Sequence, residues 1–196
     1  AGADMAYWAA FKRSGVIRAE NYEALFDYAL AFSLQPLPQG DRVCVITNAG
    51  GPGIMAADAA EQLGLRMVAP TEETQAKLKT VLPPTAAFGN PVDVIGDADP
   101  ERYMKAFEIV QEDPNTDAIV VVVTPQNMTR PLELAQALAK AHKGKKPILC
   151  AFMGGGEMEA ALAKLMELGL PNYAAPDRAV AALKAMCDYA TWRRRP

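Results

Sequence analysis

Histidine is almost absent from this chain: 196 residues carry one, His142. It stands in Lys140-Ala141-His142-Lys143-Gly144-Lys145, a basic stretch that suits the C-terminal end of a helix dipole better than it suits catalysis. Cysteine is scarce too, and Cys44, Cys150 and Cys187 are isolated from one another. No metal-ligand spacing and no disulfide framework can be drawn from them, so buried thiols in a reducing, cytoplasmic compartment are expected, with no metal site. An excess of one charge is lacking: Lys and Arg total 20 against 23 Asp and Glu, a net charge of −3. That balance gives nucleic acid no footing, and Arg193-Arg194-Arg195 reads as a solvated basic run. No apolar stretch reaches the length of a membrane span, and Ala1-Gly2-Ala3-Asp4 does not read as the start of a leader peptide, so none is expected.

What is present is concentrated in Val43-Cys44-Val45-Ile46-Thr47-Asn48-Ala49-Gly50-Gly51-Pro52-Gly53-Ile54-Met55. A β-branched run empties into a glycine-rich turn, and an alanine-rich helical pattern follows at once. Backbone N–H groups without a shielding Cβ, at the positive end of a helix dipole, suit a phosphate or carboxylate. The lysine of a Walker loop is missing, as is the complete G-x-G-x-x-G of a dinucleotide fold. A plain tight strand-to-helix turn stays open as the alternative.

Along the chain, residues 3–34 read as two helices, broken at Ser14-Gly15 and reopened at Glu20-Asn21, and 35–40 read as a linker. From Asp41 strands and helices alternate. Strands are expected at 43–47, 67–69, 118–123, 148–152 and near 172–174. Helices are expected at 52–63, 72–81, 100–112, 130–142, 156–168 and 176–189. The unalternating run Ala118–Val123 marks a strand covered on both faces. The pattern predicts an α/β fold, a three-layer flavodoxin-like doubly wound parallel sheet of about five strands in the order 2-1-3-4-5, preceded by a helical pair.

Ligands in such sheets gather at the carboxyl ends of the strands, where the strand order reverses. That places Asn48–Gly53 opposite Thr124-Pro125-Gln126-Asn127, with Gly89–Asp97 nearby. Asn48 can cap the helix or orient a ligand. Asn90 and Asp93 can meet a polar substrate or shape an Asx turn beside Pro91. Gln126 and Asn127 can donate to an oxyanion or simply face solvent. Asp97, Asp99 and Glu101 suit the start of the next helix. A receiver domain would need acidic residues where Thr47-Asn48 stand, an FMN flavodoxin a hydroxyl-rich loop, and a hydrolase a serine elbow. The remaining reading is an anion met by backbone.

Four separated motifs carry a resemblance. Ile46–Gly53, Gly89-Asn90-Pro91-Val92-Asp93, Asp117–Val123 with Thr124-Pro125-Gln126, and Phe152-Met153-Gly154-Gly155 occur in this order. Together they resemble the NDP-forming acyl-CoA synthetases, the superfamily of succinyl-CoA synthetase and ADP-forming acetyl-CoA synthetase. The resemblance implies that 36–196 form the second flavodoxin-like ligase domain of the α or fused chain, and that 1–35 are the closing helices of the ligase domain before it. It implies a reaction of acid, CoA and ATP to acyl-CoA, ADP and phosphate through a phosphohistidine. Asn48, Ala49, Gly50, Gly51 and Gly53 would then hold the phosphohistidine or phosphate, and Asn90, Asp93, Thr124 and Gln126 would line the acyl-substrate crevice. The phosphorylated histidine would precede Ala3, so no catalytic residue is expected in this stretch. CoA, ATP or ADP and Mg2+ would belong to the full enzyme, with a CoA-binding Rossmann domain, the first ligase domain and an ATP-grasp domain or subunit as partners and a small-molecule acid as substrate. A synthetase-like regulatory module of a GNAT protein lysine acetyltransferase is the alternative.

Overall fold

A computed structural model describes residues 2–195. Two helices come first, α1 (Gly2–Ser14) and α2 (Tyr22–Leu34), the second capped by Asn21, whose side chain accepts from the Ala24 N–H at 2.8 Å. The alternating part follows: β1 (Val43–Thr47), α3 (Gly50–Gln62), α4 (Glu72–Val81), β2 (Val92–Asp93), α5 (Pro100–Gln111) and β3 (Ala118–Val123). It closes with α6 (Pro131–Ala141), β4 (Ile148–Phe152), a 3-10 turn (Gly156–Met158), α7 (Glu159–Glu167) and α8 (Pro176–Arg193). Pro100, Pro131 and Pro176 begin their helices, where a missing N–H costs nothing.

The four strands form one parallel sheet in the order β2-β1-β3-β4. β1, β3 and β4 are buried along their whole length, as unalternating apolar strands require. One face carries α4, α5, α6 and α7 through Leu78, Phe107, Leu138 and Leu165; the other carries α2, α3 and α8 through Ala31, Ala60 and Leu183. This is the expected three-layer flavodoxin-like arrangement, with the helical pair outside the sheet.

The strand count differs from the expected five. The stretch 67–69 forms no strand, with one parallel bridge just before it, Arg42↔Arg66, and 172–174 is reduced to another, Cys150↔Asn172. Each lies beside a proline, Pro70 in one case and Pro171 in the other, which cannot donate to a ladder. The strand beside β1 is instead Val92–Asp93, inside the segment Gly89–Asp97, where no strand is expected from the sequence. The linker is anchored as well: the Gln35 amide donates to the Gly169 carbonyl (2.8 Å) and accepts from the Ile148 N–H (2.9 Å).

At the opposite, amino-terminal edge of the sheet Arg42 forks onto Asp117 (2.7 and 2.8 Å). Burial would raise the Asp117 carboxyl, but the hydrogen bonds and charge of Arg42 outweigh it and hold it below its ordinary value. All three cysteines are buried, and burial pushes Cys44, Cys150 and Cys187 each up to about 12. Among the described residues no helix is long and apolar enough to cross a membrane.

Candidate functional site

The carboxyl ends of the strands are brought together by register. Thr47, the last residue of β1, pairs with Val122 on one side and Asp93 on the other. The loops that follow these strands therefore share one edge. The Val94 N–H donates to the Thr47 carbonyl (2.8 Å), and an ideal Cβ at Gly96 would lie 3.7 Å from the Asn48 carbonyl.

Thr47 shapes the turn into α3. Its hydroxyl donates to the Ala49 carbonyl (2.9 Å) and accepts from the Ala49 N–H (3.0 Å). Helical bonding starts with Gly53 N–H to Ala49 C=O (3.0 Å). Ala49 is the N-cap and brings no side-chain acceptor, and no acidic residue stands in the first turn. Pro52 has no N–H. The Gly50 and Gly51 N–H groups thus find no acceptor among the described residues, and an ideal Cβ at either position meets nothing within 4 Å. Gly53 is different: it is buried, and its Cβ would stand 2.7 Å from Thr47 Cγ2. Two open donors at the positive end of a 13-residue helix are a ready seat for an anion.

Asn48 neither caps the helix nor faces solvent. It is 3% exposed, donates to the Thr124 carbonyl (2.9 Å), and accepts from the Thr124 N–H (2.9 Å) and hydroxyl (3.2 Å). Its amide therefore rivets the loop after β1 to the loop after β3. Beneath it Tyr103 of α5, wholly buried, donates its hydroxyl to the Val122 carbonyl (2.9 Å). Burial pushes that phenol well above its ordinary value, so it stays protonated and keeps donating.

Asp93 lies at the edge, where its carboxylate accepts from the Ile95 N–H (2.8 Å) in an Asx turn. Ile95 is held at φ +71°, an uncommon conformation for a β-branched residue. Gln126 and Asn127 are exposed on the loop beyond Thr124. Asn90 is not brought to this edge. Its side chain accepts from the Val45 N–H (3.0 Å) and donates to the carbonyls of Val43 (2.7 Å) and Val68 (3.0 Å), deep along β1. Asp99 caps α5 by accepting from the Arg102 N–H (2.8 Å), and Asp97 pairs with Arg102.

His142 sits at the far end of the molecule, after α6, where a ring nitrogen meets the Lys146 carbonyl (2.8 Å) and the ring packs edge-on to Phe107. Among the described residues no His, Cys, Asp and Glu gather as a metal site. A cleft of about 490 Å3 opens between α1, α8 and the end of α3, lined by Trp8, Arg18, Gln62, Leu63, Lys184 and Trp192. It lies near the C-terminus of α3, roughly 18 Å along the helix from Gly50 at 1.5 Å per residue. Strand-end topology and the open donors both favour the shallower surface at Gly50 and Gly51.

Two of the residues that build this edge escape a sequence reading. Thr47 offers a weak signal, a hydroxyl on the last residue before a turn. Tyr103 offers none, since an aromatic in an amphipathic helix reads simply as core.

Comparison with known proteins gives the family and the fold. The family described as "Ligase-CoA domain" matches residues 43–195. The chain is 40% identical over 196 residues to acetate–CoA ligase [ADP-forming] I subunit alpha of Pyrococcus furiosus, covering 98% of this chain and 42% of that one. It is 34% identical over 192 residues to 4-hydroxybutyrate–CoA ligase [ADP-forming] of Nitrosopumilus maritimus, covering 97% of this chain and 27% of that one. Among solved structures, the dinucleotide-forming acetyl-coenzyme A synthetase 1 of Ca. Korarchaeum cryptofilum, in complex with phosphate and ADP, superposes with a TM-score of 0.91 at 32% identity. That match covers 96% of this chain and 41% of the other, so the chain spans less than half the length of these relatives.

Proposed function

This chain belongs to the NDP-forming acyl-CoA synthetase family, and we propose that within it residues 36–196 act as the second ligase domain and residues 1–35 close the ligase domain before it. In this reading the whole protein interconverts acid, CoA and ATP with acyl-CoA, ADP and phosphate. The phosphoryl group travels on a histidine supplied by the neighbouring ligase domain. Gly50 and Gly51 donate their N–H groups to that phosphoryl group, with Gly53 letting the helix start close against Thr47. Asn48 and Ala49 set the turn. The acid lies between this turn and Thr124–Gln126, with Asp93 beside them, while Asn90 supports the sheet below. CoA, the adenine nucleotide and Mg2+ are met by the Rossmann and ATP-grasp partners.

The observation that carries the reading is the pair of open donors at an uncapped helix N-terminus, free of acidic side chains, at the switch point of the sheet. It is supported by the names of the relatives, which are ADP-forming CoA ligases. The test is phosphoenzyme formation from labelled ATP after joining this chain to its partner domains. Gly51→Val fits the open space around residue 51 but shields the N–H groups, and it should lower phosphoenzyme formation at least about tenfold while CoA binding is retained. Normal phosphorylation of Gly51→Val, or stable label on His142, would refute the reading.

A further inference from the structure

We infer that Tyr103 is a positioning residue for this anion seat: its buried hydroxyl holds the end of β3, just before the Thr124 that Asn48 bonds, and so fixes where the Gly50 and Gly51 N–H groups point. The inference rests on the reading of the seat given above.

Gly50 and Gly51 have nothing packed around them, so their placement depends on the residues just before them. Thr47 and Asn48 are those residues. Thr47 closes the turn onto Ala49, and the Asn48 side chain is riveted to Thr124. The Asn48 main chain lies one step past the last paired position, Thr47↔Val122. The Tyr103 hydroxyl donates at 2.9 Å to the carbonyl of Val122, the residue paired with Thr47 and two residues before Thr124. The phenol thus holds β3 at the position where its ladder with β1 ends. A phenylalanine would fill the same core volume, and a hydroxyl with no exposure at all is costly unless its bonds are used. Tyr103 reaches this point from α5, whose Arg102 also donates to the Val94 carbonyl beside the site. Side chain and hydroxyl therefore do separate things: the ring packs the core, and the oxygen sets the loop.

Nuclear magnetic resonance on the full 196-residue chain tests this, with inorganic phosphate as the probe. In the unsubstituted chain phosphate should shift the Gly50 and Gly51 amide signals. Tyr103→Phe should keep the fold and need about five- to tenfold more phosphate for the same shift, the factor one lost hydrogen bond carries. Phe107→Leu, one turn along α5 and also fully buried, should lower the melting temperature yet leave the phosphate titration unchanged. The inference falls if Tyr103→Phe titrates like the unsubstituted chain, or if Phe107→Leu weakens phosphate as much. If phosphate moves neither glycine signal in the unsubstituted chain, the anion seat itself is refuted and the inference goes with it.

Discussion

At the scale of single residues, the glycines of the turn are not equivalent. Gly50 and Gly51 leave space for a ligand, whereas Gly53 leaves space for Thr47. A methyl group at residue 53 would meet Thr47 Cγ2 at 2.7 Å, and Thr47 is itself only 1% exposed. Gly53→Ala should therefore destabilise the chain by about 1–3 kcal/mol despite the better helix propensity of alanine. Thr47→Ser removes the clashing methyl but keeps the hydroxyl that bonds Ala49. The double substitution should recover most of the loss, a coupling that denaturant unfolding of the two single variants and the double variant measures directly. Additive losses would mean that the methyl contact is not the cause.

At the scale of elements, the strands with continuous, mostly apolar runs were legible in the sequence, and β2 was not. Val43–Thr47, Ala118–Val123 and Ile148–Phe152 stand where the pattern places them, because their burial on both faces leaves only one reading. β2 is two residues long, too short for any periodicity, and a side chain completes its edge. Asn90 accepts from Val45 and donates to Val43 and Val68, taking the place of a rung between the chain at 68 and the strand at 92. Asn48 makes the same kind of bond to Thr124. The register that puts these partners opposite each other joins residues 22 to 76 positions apart, so no local motif announces it. The glycine turn, in contrast, was legible because everything that defines it is adjacent in sequence. Asn90→Ala should cost about 2–4 kcal/mol, since it strips partners from the buried Val43 and Val45 backbone. Asn90→Asp at neutral pH should cost more, because a carboxylate oxygen would face the Val43 and Val68 carbonyls. Protonation relieves that contact, so the folded state raises the carboxyl's pKa and the deficit should shrink as pH falls through it. Thermal melts of both variants between neutral pH and about pH 4 check the sign; a deficit in Asn90→Asp that does not shrink on acidification would refute this account.

At the scale of the molecule, α1 is attached differently from everything else. Among the described residues neither core cluster takes one from it, whereas α2 contributes Ala31, with Tyr28, Leu30 and Phe32 packed alongside. What holds α1 is a latch at its C-terminus. Gly15 adopts φ +77° with the Trp192 ring so close that an ideal Cβ would lie 2.4 Å from it, and the indole N–H donates to the Arg13 carbonyl (3.1 Å). Arg18 adds a guanidinium 5.7 Å over the Trp8 ring and an ion pair to Asp4 (3.0 Å). On the outside Met5, Tyr22 and Phe26 stay 74%, 82% and 70% exposed, apolar area worth about 25 cal/mol per Å2 to any surface that covers it. Gly15→Ala strains the left-handed turn by roughly 1–2 kcal/mol and drives a methyl into the indole. The expected result is release of α1 alone: faster amide exchange over residues 2–14 and new proteolytic cleavage near residue 15. The melting midpoint of the α/β body should move by no more than about 2 °C, because a weakly attached segment opens without the core. A large fall in that midpoint would show α1 to be part of the cooperative unit. If residues 1–35 do belong to the preceding ligase domain, adding that domain should restore slow exchange to α1 even with alanine at position 15. The exposed aromatic face, and not the latch, would then carry the attachment.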